Sequence, residues 1–169
     1  MSTLKTNAIQ TVAGKPILNS TGSILQVGYT EYTTQYTNST IQTYQIFYSQ
    51  TITASAPSSR YLLIGNTHSY NATANGRCNM GYSVTISGTT TRISGVDGGG
   101  GDSWGYPSGG GNGGCYMNRQ AIYTSTASAG TSLTFNFLVA CWEGAGIFNA
   151  SGYSHKSTFT VMEISSWIL

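Results

Sequence analysis

The sequence predicts an all-β protein, built as a sandwich or a barrel of short strands. Residues 131–142, TSLTFNFLVACW, are the longest segment with a single period, and their apolar side chains recur at every second position. At helical spacing the polar Thr134 and Asn136 would interrupt the apolar stripe. Further alternating segments are separated by turn-forming residues at near-regular intervals, which is typical of sandwiches and barrels.

Residues 131–142 have one wholly apolar face and one mixed face. Such a strand fills a core with the first face and meets a neighbouring sheet or subunit with the second. Apolar side chains at alternating positions of this strand and others are the candidates for core or subunit packing: Tyr44, Tyr48, Tyr61, Leu133, Phe135, Phe137, Val139, Phe159 and Val161.

Two strands are predicted near the start of the alternating region. Residues 23–32 form the first. Residues 41–55 form the second, with Tyr44, Ile46 and Tyr48 expected on one face.

Turn signals divide the chain that follows. Pro57 fixes its own backbone torsion and excludes the helical region for Ala56, so residues 56–59 form a turn before the next strand, residues 59–72. Asn-Gly at 75–76 and Ser-Gly at 87–88 predict hairpins. The strands that follow these two signals are therefore expected to pair with the strands that precede them.

Residues 94–114, SGVDGGGGDSWGYPSGGGNGG, predict a long loop without strand or helix, because glycine loses more backbone entropy on ordering than any other residue. Aromatic side chains provide large contact area at modest entropic cost. The loop is therefore either a contact surface or a slack insertion. Its candidate contact residues are Asp97, Asp102, Trp104 and Tyr106.

The last strand places Phe159, Val161 and Glu163 on one face. An isolated buried carboxylate is costly. Glu163 is therefore expected at a strand end or beside a Lys or Arg side chain.

Residues 1–22 show no continuous period and predict an extended arm that reaches at most roughly 70 Å. The alternative is a disordered tail. The arm has enough apolar side chains to dock on another protein: Leu4, Ile9, Val12, Ile17 and Leu18.

Charge is scarce, with seven basic and five acidic side chains among 169 residues. The basic residues are scattered, which argues against a nucleic-acid partner. Charge depletion is typical of interface interiors, so we expect copies of the chain or a larger assembly to cover its surface, the alternative being an unusually neutral monomer. No run of eighteen apolar residues and no hydrophobic leader are present, so no membrane insertion or secretion is expected.

No enzyme, metal site or cofactor is predicted. Asp97 and Asp102 share a flexible loop, which cannot hold a pair of catalytic carboxylates in a reacting geometry, and the loop lacks the acidic spacing of a calcium motif. His68 and His155 accompany no nucleophile motif. The three cysteines lack zinc or redox spacing and are expected as free thiols, unless a hairpin brings Cys78 and Cys115 together.

Three segments resemble a group of tailed-phage virion structural proteins, notably those of marine cyanophages. They are the leader MSTLKTNAIQTVAGKPILNSTGSILQV, the interior TITASAPSSRYLLIG and the terminal STFTVMEIS. Residues 94–114 and the cysteines lie outside the resemblance. It implies a tail-fibre-like protein with an attachment arm, residues 1–22, and a jelly-roll head, residues 23–169, similar in outline to trimeric tumour-necrosis-factor-like domains.

The resemblance also implies a function. The protein would be a homotrimeric fibre or spike of the virion, assembled in the host cytoplasm, with the arm bound to other virion proteins. Its head would present the residues 94–114 to a host-surface glycan or receptor, and the packing residues above would face the core or the trimer axis. A capsid decoration protein is the alternative, and an enzyme that degrades surface polysaccharide is a weaker one.

Overall fold

The structure, a computed structural model, describes residues 23–71, 77–95, 104–105, 114–142, 144–149 and 155–165. The predicted arm and most of the glycine-rich segment lie outside these ranges. Strands and their connections make up the described residues. Among them there is no helix with the length and apolar character needed to cross a membrane.

Eleven strands follow one another in the described residues. They are β1 (Ile24–Tyr32), β2 (Tyr36–Asn38), β3 (Gln45–Thr53), β4 (Arg60–Asn71), β5 (Arg77–Ile86), β6 (Thr89–Ser94), β7 (Trp104–Gly105), β8 (Gly114–Thr124), β9 (Ser132–Trp142), β10 (Gly146–Phe148) and β11 (Ser157–Ile164).

Two antiparallel sheets pack face to face, as the sequence predicted. In the first sheet the strand order is β1, β11, β4 and β8. The short β10 pairs with the last residues of β4 on the same edge as β11, and β2 pairs with β10. In the second sheet the order is β3, β9, β5 and β6, with β7 beside the start of β5. Successive strands β3, β4 and β5 alternate between the sheets. This connectivity confirms the predicted jelly-roll sandwich.

The core lies between the two sheets and is rich in aromatic rings. Phe137 of β9 occupies its centre, with ring centroids 5.6 Å from Phe47, 5.7 Å from Tyr82 and 5.6 Å from Phe159. Such offset and edge contacts add to the burial of large apolar area. Every proposed packing residue is buried except Tyr48, which is partly buried against the same core.

The expected alternation along residues 41–55 is wrong. The pairing of β3 with β9 shifts by one residue between Ile46 and Tyr48, and this bulge turns Phe47 into the core while Ile46 remains 55% exposed. A bulge inserts one residue on one strand only, so the side-chain period changes phase there. Tyr44 precedes the strand and packs on the outer face of the second sheet with Leu138, Ala140 and Trp142.

One of the two hairpin signals is confirmed. Ser87 and Gly88 have φ values of 49° and 81° and join β5 to β6 through the pair Ile86 and Thr89. The hairpin predicted at residues 75–76 is wrong, because β4 and β5 belong to different sheets. The residues of that turn lie outside the described ranges.

The prediction that residues 94–114 contain no strand is wrong at three places. Ser94 ends β6, Gly105 and Trp104 pair with Cys78 and Asn79 of β5, and Gly114 begins β8. Main-chain pairing needs no side chain, so a backbone that packs against a free strand edge forms a ladder even in a glycine-rich segment.

Glu163 lies near the end of β11, the first of its two expected placements, and its partners are neutral groups. Its carboxylate is fully buried and accepts hydrogen bonds from the Gln26 amide, from the backbone N–H of Ser55 at 2.9 Å and of Ala56 at 3.2 Å, and from the Ser59 hydroxyl at 2.7 Å. These neutral donors tie β1 and the turn before β4 to β11. They satisfy the carboxylate without an opposite charge.

Candidate functional site

The outer face of the first sheet carries an exposed group of apolar side chains, here called the apolar face. Of the seven large apolar side chains that are exposed among the described residues, five lie on this side of the sheet, and four of the five belong to the apolar face. The apolar face consists of Ile24, Val27 and Tyr29 on β1, Leu62 and Ile64 on β4, Ile122 on β8, and Met162 and Ile164 on β11.

Strand register places these side chains in rows. Val27 pairs with Met162, Met162 with Leu62, and Leu62 with Ile122, so one apolar row crosses all four strands. Directly opposite residues in antiparallel strands have Cβ atoms about 5 Å apart. The row is therefore a continuous apolar surface.

Solvent-facing positions of an antiparallel sheet are usually polar. On β1 and β8, Val27 and Ile122 are nevertheless 53% and 55% exposed. A contiguous exposed apolar patch on a folded domain marks an interaction site. The apolar face is the main candidate for function in the described residues.

A polar row borders the apolar face further along the strands. Glu31 of β1 forms an ion pair with Lys156 at 2.6 Å, and the Asn66 amide donates to the Thr158 hydroxyl at 3.1 Å while accepting from Asn118. The charges in this row neutralise each other. The row therefore presents no net charge to a partner.

Beyond the polar row, the side chains of His68, His155 and Tyr116 form a cluster. Its two imidazoles are here called the His68–His155 pair. The two histidine rings stack with centroids 3.8 Å apart, and the Tyr116 hydroxyl lies 2.8 Å from His155 Nδ1. Burial, and then the neighbouring His155, lower the pKa of His68 below its ordinary value. Tyr116 itself is 75% exposed on the same side of the sheet as the apolar face.

The outer face of the second sheet differs in kind. Its hydroxyl and amide groups bond to one another, with Thr51 and Thr134 oxygens 3.0 Å apart and the Asn136 amide 3.0 Å from the Ser83 hydroxyl. Toward its apolar end Tyr44 packs over Leu138, while Ile46 remains 55% exposed. The mixed face predicted for residues 131–142 therefore meets side chains of its own chain.

The contact and anchoring residues predicted from sequence are not among the residues that form the apolar face. Trp104 has its backbone in β7, whereas Asp97, Asp102 and Tyr106 lie outside the described residues, as do the anchoring candidates Leu4, Ile9, Val12, Ile17 and Leu18. The described residues contain no group of three side chains suited to a metal ion. The three cysteines are free thiols.

Sequence reasoning missed the apolar face, because its residues come from four separate segments. One signal was present. The strands β1 and β11 carry apolar side chains at both odd and even positions, so both faces of each strand are partly apolar. For example, Val161 faces the core and Met162 faces outward.

The fold defines a class, a jelly-roll β-sandwich, in which one outer sheet face carries exposed apolar side chains among the described residues. A scan against known protein families finds no match, and a search of curated proteins finds none either. Among solved structures, the chain is similar to the structure of infectious bursal disease virus Gx strain, with a TM-score of 0.40, 11% identity, and coverage of 85% of this chain and 37% of that chain. It is also similar to the infectious bursal disease virus VP2 subviral particle, with a TM-score of 0.37, 9% identity, and coverage of 85% and 38%. The chain thus spans less than two fifths of the length of these two chains.

Proposed function

We propose that the chain is a virion structural protein that forms a homotrimeric fibre or spike, with the jelly-roll head joined to the particle by residues 1–22. The observation that carries the proposal is the apolar face. Among the described residues, it leaves four large apolar side chains exposed and four more partly exposed on one outer sheet surface.

A second copy of the chain is a suitable partner for this surface. The apolar rows contain no acidic group, and Arg60 is the only charged residue whose register position falls within them. Around a threefold axis, each copy's apolar face meets parts of the same face on two other copies, and these contacts bring together apolar side chains and hydroxyls with little charge to desolvate. The low charge of the whole chain, 7% of residues, fits a protein that associates with its own copies.

The virion setting rests on the resemblance of the termini to tailed-phage structural proteins, and the threefold symmetry rests on the similarity in outline to trimeric jelly rolls. The arm enters the head at Ser23, immediately before Ile24 of the apolar face. An assembly through this face therefore brings the starting points of several arms toward one another. Several arms on one assembly raise the strength of attachment through multivalency.

Sedimentation equilibrium of the purified chain tests self-association. The wild type is expected to sediment as a trimer, and Val27→Asp with Ile122→Asp is expected to sediment as a folded monomer. Each buried aliphatic side chain contributes about 1.5–3 kcal/mol, so the loss of two weakens association by at least roughly a hundredfold. Thr51→Asp on the polar outer face of the second sheet is the matched control and should leave the trimer intact.

A wild type that sediments as a monomer at high concentration contradicts the proposal.

Labelled antibody on purified particles then tests the location of the protein on the virion. Labels confined to the tail support a fibre or spike, whereas labels over the whole head support the capsid decoration alternative. Deletion of residues 1–22 should give a soluble trimer that no longer joins particles. Unchanged incorporation would contradict the anchoring role.

A further inference from the structure

The three cysteines of the chain lie at one corner of the sandwich, although they come from three different strands. Cys78 of β5 is directly opposite Cys141 of β9 in the second sheet. Cys115 of β8, in the first sheet, packs against the core cluster that contains Cys78. The fold therefore gathers all the thiols of the chain in one region of the core.

The end of β4 brings the two sheets together at this corner. The Asn71 amide donates a hydrogen bond to the carbonyl of Arg77 at 3.4 Å, which joins β4 to the start of β5. The Cys78 sulfur lies 3.9 Å from the carbonyl oxygen of Tyr70. Cys78 therefore contacts the last residues of β4, although it belongs to the other sheet.

Cys115 contacts the same part of β4. It is directly opposite Ser69 in the register of β4 and β8, and its sulfur lies 3.2 Å from the Ser69 hydroxyl oxygen. The Ser69 hydroxyl hydrogen-bonds to the Cys78 thiol as well. Because one hydroxyl group contacts both sulfurs, the sulfurs of Cys78 and Cys115 lie within roughly 7 Å of each other.

A bond between these two sulfurs is compatible with the architecture. A disulfide requires Cα atoms about 4.4–6.8 Å apart, and disulfides that join the two sheets occur in other β-sandwiches. Rotation about the Cα–Cβ bonds of Cys78 and Cys115 changes the distance between the sulfurs without moving a strand.

The three thiols differ in their access to solvent. Cys115 is partly exposed, whereas Cys78 and Cys141 are fully buried. An oxidant in solution therefore reaches Cys115 first. The Cys141 thiol is directed toward a different segment, since it donates to the carbonyl of Asn38 at 3.1 Å. Cys78 is thus the thiol placed to react with an oxidised Cys115.

We propose that Cys115 and Cys78 form a disulfide across the sandwich when the folded protein meets a small disulfide oxidant such as oxidised glutathione. The chemistry needs only the folded head. Its timing rests on the proposed function, because a virion leaves the reducing cytoplasm for an oxidising exterior. The bond then links β5 to β8 in the assembled particle.

The reaction has two steps, and in each step one S–S bond breaks and another forms. The Cys115 thiolate attacks one sulfur of oxidised glutathione, and the released glutathione thiolate takes up a proton. Cys78 then loses its proton, attacks the Cys115 sulfur and displaces the second glutathione as a thiol. Two cysteine thiols are oxidised to one disulfide, and one oxidised glutathione is reduced to two thiols. Burial raises the pKa of Cys78 to about 12, so its thiolate is scarce and the second step is slow.

The test incubates the purified, reduced chain with oxidised glutathione at about pH 8 and low protein concentration, under conditions in which the chain stays folded. The remaining thiols are then alkylated after unfolding, and the peptides are identified by mass spectrometry without reduction. The wild type is expected to yield one linked pair of peptides, which contain Cys78 and Cys115, with Cys141 alkylated. Cys141→Ser keeps the proposed pair and is the matched control, so it should yield the same link.

Two variants separate the steps of the reaction. Cys78→Ser is expected to stop after the first step and to keep glutathione on Cys115. Cys115→Ser should take up no glutathione while it is folded. In the wild type, the link closes a loop of residues 79–114 and restricts the unfolded chain. The oxidised wild type should therefore unfold at a urea concentration about 1–2 M higher than the reduced protein.

Three results in the wild type overturn the proposal. They are glutathione that stays on Cys115 throughout the incubation, a link between Cys78 and Cys141, and a link between the Cys115 residues of two copies. Should Cys78→Ser fail to fold, the wild type still decides, because all three results are measured on it. Sedimentation of the reduced protein tests the proposed function separately, so either proposal can fail without the other.

Discussion

Replacement of Glu163 by glutamine is expected to destabilise the head strongly, although the change keeps the shape of the side chain. The carboxylate is fully buried and accepts hydrogen bonds from Gln26, Ser55, Ala56 and Ser59. Glutamine replaces one acceptor oxygen with an N–H donor. With its carbonyl oxygen kept toward Ser55, Ala56 and Ser59, the new donor faces the Gln26 amide, and every remaining bond loses its charged acceptor. Two or more hydrogen bonds to a charged acceptor are lost or weakened.

The expected cost follows from the number and kind of these bonds. A hydrogen bond to a charged group contributes about 1.5–3 kcal/mol, and a buried donor that loses its acceptor costs about 1–3 kcal/mol. Because the donors share one small turn and relax together, their losses do not add fully. We expect Glu163→Gln to lower the free energy of unfolding by about 3–4 kcal/mol.

Urea unfolding at neutral pH measures this change, with Glu31→Gln as the matched control. Glu31 is also an acid on an edge of the first sheet, but its ion pair with Lys156 is exposed to water, so its loss should lower the stability far less than the loss of Glu163. Equal midpoints for the two variants would refute the account of Glu163 as the acceptor that holds the turn to β11.

The fall of the free energy of unfolding at acid pH gives a second test of Glu163. Burial by itself raises the pKa of the Glu163 carboxyl, but the hydrogen bonds from Gln26, Ser59 and Ser55 outweigh burial and hold its pKa below the ordinary value of 4.5. A carboxyl with a lowered pKa stabilises the folded state above its unfolded pKa, and this contribution is lost as the pH falls through the folded value. Stability of the wild type should therefore fall below about pH 4.5, and Glu163→Gln should show a flatter acid limb.

Two further predictions concern the core. Gly65→Ala should cost about 1–3 kcal/mol in urea unfolding, because the added Cβ would lie 2.6 Å from the Tyr82 hydroxyl and 3.1 Å from Phe137, and an unchanged midpoint would contradict this packing. Cys115 is partly exposed and should react with iodoacetamide in the native protein. Cys78 should react only after unfolding, because burial raises the pKa of its thiol to about 12. Mass spectrometry of the peptides distinguishes the two cysteines.

Much of the fold was predictable from local patterns. The alternation in residues 131–142 predicted β9, and the Ser-Gly pair at 87–88 predicted the β5–β6 turn, because side-chain period and turn conformation are set by residues close in sequence. The hairpin expected at residues 75–76 failed for the opposite reason. Turn chemistry does not decide whether the next strand pairs with its predecessor or crosses to the other sheet.

The candidate site was beyond local reasoning. Ile46 and Phe47 exchanged faces because a bulge changed the phase of β3, and such a bulge becomes visible only in the register with β9. The apolar face depends on four strands from separate parts of the chain, and the His68–His155 pair joins β4 to the connection before β11. Neither arrangement has a signature within one segment.

The amino-acid sequence by itself determined that this protein is built of β-strands with few charges, since period and composition are properties of neighbouring residues and of the whole chain. Only the tertiary structure decided which apolar side chains enter the core and which remain on the outer face, because strand order and register select the partners of each residue. Those partners are distant in sequence, and their choice depends on packing of the complete sandwich.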